Sequence, residues 1–187
     1  MLQSALSYTH SLIRQGVQQG DTVIDATVGN GHDTLLLAEI VGETGCVIGF
    51  DIQKAAIETT QKKIDAVNWE SRVKLYHKGH EKINDVLPAS THISLAVYNL
   101  GYLPSGDKSI ITTPQTTIQS IEQALAQLRK KGLVLLMIYY GHKGGQQEKE
   151  AVLHFVEQLP QADYSVLSYQ FINQQNSPPF LVAIEKR

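Results

Sequence analysis

The chain has 187 residues, 42% of them hydrophobic and 18% charged, with a formal net charge of -2. That length supports one sizeable core, and so a single domain over residues 1–187, not two independent ones. The charge balance excludes a basic nucleic-acid coat and a disordered acidic tail, so a nucleic-acid partner would need a local basic patch. The lone cysteine, Cys46, excludes an intrachain disulfide and a cysteine-rich zinc site, and its run CVIGF marks it as a small buried hydrophobe. The start MLQSALSYTHSLIRQ has no basic segment followed by a long apolar one, and no apolar run approaches the roughly 20 residues that cross a bilayer. These features predict a cytoplasmic protein with no membrane part.

In chain order, a leading helix is expected over 4–15, packed on a sheet or lining a site. Strands are expected at 22–26, 46–52, 73–77, 93–99 and 133–139, with two later ones at 164–171 and 180–185. Helices are expected at 32–41, 53–68, 116–130 and 146–158. This alternation predicts an α/β fold: a Rossmann-like, doubly wound, mostly parallel sheet with helices on both faces. The last two runs are separated only by NQQNSPP, too short for a crossover, so they should pair antiparallel. The one long irregular stretch, 101–114, follows a strand, where long loops are usually functional.

TVIDATVGNGHDTLLLA reads as strand, glycine turn, helix. Gly29 and Gly31 permit a tight turn and close approach of backbone to a ligand. The free N–H groups of the helix that starts near His32 point back at the loop. Asp25 sits at the strand end, able to accept from a polar or cationic ligand group. Asp33 and Thr34 could cap the helix or serve the ligand. A plain glycine turn would look the same. Asp51, closing the second strand, narrows the choice, because a βαβ unit places an acid there for ribose hydroxyls. Gln53 is in reach of the same ribose or of an adenine edge. In KGHEKI, His80 and Glu81 fall where an adenine would lie, although Glu81 could equally be a first-turn helix acid.

The fourth strand ends AVYNLGYLPSGDKS. An Asn at such a position, with a backbone carbonyl beside it, can accept two hydrogen bonds from an amine and aim its lone pair at a methyl donor. Alignment supplies much of the rate in an in-line displacement. Asn99 would be that residue, Gly101 would allow close approach, and Tyr102 would supply a ring and hydroxyl. The fifth strand ends MIYYGHKGG, which puts Tyr139, Tyr140, His142 and Lys143 at the same sheet edge. A tyrosine there could stack on a base, Lys143 could meet a phosphate, and His142 could accept a proton. None of the seven histidines forms an H-x-x-x-H or H-E-x-x-H pair, so no metal site is expected.

Taken together, DATVGNGHDT, GFDIQ, KGHE, NLGYLPSGDKSI, TTPQTTIQ, YYGHKGGQQEKEAV and QFINQQNSPPFLVAIEK resemble the small class I methyltransferases known as putative rRNA methylases. The likeness runs from the first helix to the last strand. It implies a seven-stranded sheet with an antiparallel C-terminal strand and S-adenosyl-L-methionine as cofactor. It also implies a tRNA anticodon stem-loop as substrate, with the aminomethyl nitrogen of 5-aminomethyl-(2-thio)uridine at wobble position 34 as acceptor. By the family's pattern Asn30, Asp33, Asp51, Gln53, His80 and Glu81 hold the cofactor, joined in the same loops by Thr27 and Gly101. Asn99, Gly101, Tyr102, Lys108, Tyr139 and His142 face the substrate, with Leu103 beside them. The fourth-strand motif is NLGY where many amino-methylating enzymes carry NPPY, which keeps the carbonyl and loosens the turn. Lys78, Lys82, Lys108 and Lys143 would supply the basic patch. A homodimer is compatible with the sequence. So are an rRNA or small-amine N-methyltransferase and a non-catalytic cofactor-binding protein. A nicotinamide-dependent oxidoreductase fits less well, because the glycine fingerprint is incomplete.

Overall fold

The computed structural model describes residues 1–103 and 110–187. Its elements are α1 (Ala5–Gly16), β1 (Thr22–Asp25), α2 (His32–Val41), β2 (Cys46–Asp51), α3 (Lys54–Asp65) and β3 (Val73–His77). A 3-10 turn (His80–Lys82) and the short α4 (Ile83–Val86) follow, then β4 (Ile93–Leu100), α5 (Pro114–Gln127), β5 (Leu128–Ile138), α6 (Gly145–Glu157), β6 (Tyr164–Tyr169) and β7 (Phe180–Lys186). The strands form one sheet in the order β3-β2-β1-β4-β5-β7-β6. Pairing is parallel from β3 through β5, and β7 runs antiparallel to both β5 and β6. The expected doubly wound sheet and the C-terminal hairpin are both present.

Period-two burial explains the layering. Val23 faces α1, α2 and α3 with Leu37, Ala38 and Ile64, whereas its neighbour Ile24 faces α5 and α6 with Ile121, Ala124 and Val152. Both faces of the central strands are covered, so the strands read as unbroken apolar runs. The chain lays β2 and β3 on one side of β1, and β4 and β5 on the other. At that reversal the loops leaving β1 and β4 part, and a crevice opens at the carboxyl ends of the strands.

The largest departure from the sequence-based boundaries lies at 128–132. The run QLRKK favours helix, yet α5 stops at Gln127 and β5 begins at Leu128. Leu128 pairs with Ile93, and the register then shifts before Leu95 meets Leu133. Lys131 takes φ 62 within this irregularity. Strand pairing overrides the weak helical preference of those residues. Beyond β4, Tyr102 bridges to Ile111 and the Thr112 amide donates to the Gly101 carbonyl (3.0 Å), which closes the base of the long loop. Among the described residues no helix is long and apolar enough to cross a membrane.

Candidate active site

The glycine loop is fastened from behind. Asp51 accepts from the Gly29 amide with one carboxylate oxygen and from the Gln53 amide with the other, both at 2.8 Å. Lys63 of α3 donates to the Asn30 carbonyl (2.7 Å) and the Thr60 hydroxyl donates to the Gly29 carbonyl (3.2 Å). Gly31 has φ 79, and a Cβ there would stand 2.7 Å from Thr60. Its glycine therefore serves a left-handed turn pressed against α3. A Cβ on Gly29 would approach Leu103 to 3.3 Å, so the loops after β1 and β4 meet across the crevice.

Asp25 is not the ligand acceptor the sequence suggested. It is fully buried beneath the loop, where its carboxyl accepts from the Thr34 hydroxyl (2.6 Å) and the Thr27 amide (3.2 Å). Burial and the neighbouring Asp33 charge push it up to about 7, against those two hydrogen bonds. Gly31 and Thr34 likewise lie behind the crevice wall, not on it. These three residues build the loop because each has its polar or steric partner on the inner side.

His80 lies at the far end. Its Nδ1 donates to the Ala26 carbonyl (3.2 Å), and its buried Nε2 has no hydrogen-bond partner. Burial holds the ring below the usual histidine range, so it is neutral, with Nε2 as a bare acceptor. Glu81 sits in the first turn of the 3-10 segment and lines the crevice as well.

On the opposite side Asp33, the second residue of α2, gathers two segments. Its Oδ1 accepts from His10 Nε2 of α1 (2.9 Å) and its Oδ2 from Asn99 Nδ2 at the end of β4 (2.8 Å). Burial raises this carboxyl, but the hydrogen bonds from His10 and Asn99 outweigh it and hold the group below its ordinary value. An ionised carboxylate only accepts. The Asn99 amide is therefore turned with its NH₂ toward Asp33, which leaves Oδ1 as its acceptor. The Asn99 backbone amide is in turn held by the Thr27 hydroxyl (2.7 Å).

The turn after Asn99 rests on a second buried acid. The Gly101 amide donates to the Thr112 hydroxyl (2.9 Å), which donates to Glu148 of α6 (2.6 Å), and Thr117 of α5 donates to the other oxygen (2.7 Å). Burial raises the Glu148 carboxyl above its ordinary value, opposed by both threonines. This chain ties the NLGY, TTPQTT and GQQEKE segments together. One expectation fails here. The Leu100 carbonyl, expected as a second acceptor for an amine, accepts from the Tyr139 amide (3.0 Å) as β4–β5 pairing continues past the strand end, and Leu100 is fully buried outside the crevice lining. Tyr102 stands edge-on to His142 at 5.4 Å between centroids, and Lys149 caps the Tyr140 ring at 4.1 Å.

The crevice encloses about 820 Å³. From the β1–β2 side Thr27, Gly29, Asn30, Asp51 and Gln53 line it, with His80 and Glu81 beyond, and Asp33 of α2 reaches across to Asn99. From the β4–β5 side come Asn99, Gly101, Tyr102, Leu103, Tyr139, Tyr140 and His142. Lys143 is exposed and outside the lining, and Lys108 lies outside the described residues. Sequence reasoning missed His10 and Leu6, which also line the crevice. Their spacing of four on a helix, placing both on one face, was the available signal. It also missed the role of Glu148, although the acid stands in a motif already singled out. Among the described residues no cluster of three or more His, Cys, Asp or Glu is placed to hold a metal ion.

A doubly wound sheet with a reversed β7 and this crevice at its switch point defines an S-adenosylmethionine-dependent methyltransferase. A partnerless buried Nε2 at one end and a side-chain-free glycine turn in the middle fit an adenosyl group. The chain belongs to the family described as Putative rRNA methylase, whose model matches residues 47–185. It is 40% identical, over 98% of its length and 69% of the relative's, to an Arabidopsis thaliana protein named tRNA (mnm(5)s(2)U34)-methyltransferase, chloroplastic. A putative rRNA-methylase from Clostridium thermocellum superposes with a TM-score of 0.97 at 45% identity, both chains being fully covered. A putative methyltransferase from Streptococcus mutans, crystallised with SAH, superposes with a TM-score of 0.91 at 39% identity, again over the whole of both chains.

Proposed function

We propose that the chain methylates the exocyclic aminomethyl nitrogen of 5-aminomethyl-(2-thio)uridine at wobble position 34 of tRNA, giving the methylaminomethyl nucleoside. The carrying observation is the orientation of Asn99: Asp33 takes its NH₂, so Oδ1 presents an acceptor suited to an amine N–H. The name of the Arabidopsis relative supports the same acceptor.

In this reading Asn30, Asp51 and Gln53 hold the ribose side of the cofactor. Asp51 does so with the lone pairs that its two backbone bonds leave over. His80 Nε2 and Glu81 meet the adenine. Bound S-adenosylmethionine supplies an electrophilic methyl group on its sulfonium. Asn99 Oδ1 accepts from the amine and points its lone pair toward that methyl, so that the chain contributes alignment and proximity. Tyr102, Leu103, Tyr139, Tyr140 and His142 wall the acceptor side and exclude water, and the Gly101 amide, held by Thr112 and Glu148, fixes the turn. The aromatic rings offer stacking faces for a splayed base. With a net charge of -2, RNA binding is modest and depends steeply on salt.

The test is mass spectrometry of tRNA nucleosides from cells with and without the gene, joined to assays of the purified protein on an anticodon stem-loop carrying aminomethyluridine. Loss of the methylaminomethyl nucleoside without the gene, with accumulation of the aminomethyl form, is the expected result. Unchanged wobble uridines together with a missing methyl mark in rRNA would replace this substrate with an rRNA one.

A further inference from the structure

We infer that His10 is the base that removes a proton from the substrate ammonium; the inference rests on the aminomethyl acceptor proposed above. A primary alkylamine in its ammonium form has no lone pair, so one N–H must be broken before its nitrogen can attack a methyl group. A residue for this must lie beside the nitrogen's acceptor and must have an unprotonated atom free in the crevice.

Asp33 supplies the first condition and fixes the ring's tautomer for the second. One of its oxygens holds Asn99 Nδ2 at 2.8 Å and the other holds His10 Nε2 at 2.9 Å, so both side chains hang from one carboxylate and both line the crevice. Since the carboxylate accepts from Nε2, the proton of the neutral ring sits there and Nδ1 is the bare nitrogen. This is the carboxylate–imidazole pairing used wherever a histidine must be held in one tautomer and its gained charge offset. The Leu100 carbonyl, the backbone acceptor beside a strand-end Asn, is engaged by the Tyr139 amide and belongs to a fully buried residue outside the crevice lining. That leaves Asn99 Oδ1 and His10 Nδ1 as a pair of acceptors on one side of the site.

The other ionisable groups are placed for other work. Asp25 is buried under the loop, Glu148 is tied to two threonines, Asp51 holds the Gly29 and Gln53 amides, and His80 and Glu81 are at the opposite end of the crevice. The groups that share His10's end are Asp33 and His32 from α2 and Tyr139 from β5, with Arg14 one turn along α1. Burial and the Asp33 charge push the Tyr139 phenol up, so it stays protonated and cannot serve as base. His142 is the competing candidate. Its Nε2 is buried without a partner, and the Glu148 carboxyl interacts with it electrostatically while its hydrogen bonds go to Thr112 and Thr117.

The step balances simply. An N–H bond of the ammonium breaks, an Nδ1–H bond forms on His10, and the ring becomes imidazolium against the Asp33 carboxylate. The electron pair stays on the amine nitrogen. After methylation the secondary ammonium leaves, and His10 returns its proton to solvent.

The experiment is single-turnover methylation of an aminomethyluridine stem-loop across pH by wild type, His10→Gln, His10→Ala and His142→Gln. Cofactor and RNA affinities are measured alongside by calorimetry, and folding by thermal melting. We expect His10→Gln to lose about 10²-fold in rate below the amine's own pKa. The loss should shrink to a few-fold above it, where the substrate arrives neutral, with both affinities changed by less than about threefold. Added imidazole should restore part of the His10→Ala rate. A uniform loss at every pH without imidazole rescue makes His10 a structural clamp and overturns the inference. A matching loss of cofactor affinity makes it a cofactor contact and does the same. The pH-dependent pattern in His142→Gln but not His10→Gln moves the base to His142. Wild-type inactivity on this RNA would instead remove the acceptor assignment itself, and the role of His10 with it.

Discussion

The two sides of the crevice each rest on a pair of carboxylates, and the pairs differ in reach. On the β1–β2 side Asp25 binds groups 2 and 9 residues away, and Asp51 binds groups 2 and 22 residues away. All of these lie inside one βαβ unit. Toward the β4–β5 side, Asp33 of α2 joins segments 23 and 66 residues distant, and Glu148 reaches across 31 and 36. The first side is a local fold that makes its own pocket wall. The second exists only once α1, α2, β4, α5 and α6 have docked. The difference teaches where a lesion should be felt: local carboxylates should govern stability and cofactor affinity, long-range ones the acceptor chemistry.

The largest expected effect is on the local side. Asp25 titrates near 7 in the folded protein against 3.8 in a free chain. A carboxyl whose folded value is raised contributes stability that is fully present below about 4 and is lost as pH rises to about 7. The loss is on the order of 4 kcal/mol. Asp25→Asn keeps an acceptor for Thr34 and never ionises. Urea titrations should therefore show the variant gaining on wild type by that amount between pH 4 and pH 8. A constant difference across this range would show that Asp25 ionises at its ordinary value and that the local side is not under electrostatic strain.

Next in size is Asn99→Ala, which strikes the long-range side. Misplacing the acceptor nitrogen should lower the single-turnover rate by about 10²-fold. Cofactor affinity should move by less than about threefold, since the adenosyl end is held elsewhere. Equal losses in rate and affinity would erase the division of labour between the two sides and assign Asn99 to the cofactor.

The same division explains what the sequence made legible. Asp51 could be named because strand, glycine turn, helix and strand-end acid follow one another at fixed spacing, and the local chain enforces the contact. The seven strands were legible because central parallel strands are buried on both faces and stand out as apolar runs. Asp25 was misread because a strand-end acid beside a glycine turn looks the same whether it faces in or out. Only the Thr34 hydroxyl on its inner side decides the matter. The partners of His10 and Glu148 were out of reach for a different reason. A histidine in a leading helix and an acid in the sixth carry no local sign of their partners. Packing of α1 beside α2 on one face of the sheet, and of α6 beside α5 on the other, creates those contacts.

Thr112→Val probes the Glu148 anchor with little change in volume. It strips the acceptor from the Gly101 amide and one donor from a buried carboxylate. The cost should be about 1–3 kcal/mol, read as a lower melting temperature and a roughly tenfold slower methyl transfer, with cofactor affinity unchanged. A variant that melts as wild type and transfers methyl at the wild-type rate would show that the turn holds itself. The anchor would then be redundant, and the acceptor side more local than the hydrogen bonds imply.

The smallest effect tests whether the comparison extends to the RNA. Lys143 is exposed and stands outside the crevice lining, just beyond His142. If it meets a phosphate of the anticodon arm, it positions the RNA and takes no part in holding cofactor or amine. Lys143→Ala should then weaken stem-loop binding by about threefold at moderate salt and lower the slope of log affinity against log salt by about one. Cofactor affinity and the rate at saturating RNA should both hold. A variant whose salt slope matches wild type would remove Lys143 from the RNA path. A variant that loses rate at saturation would place it at the reacting centre, inside the long-range network and not at its rim.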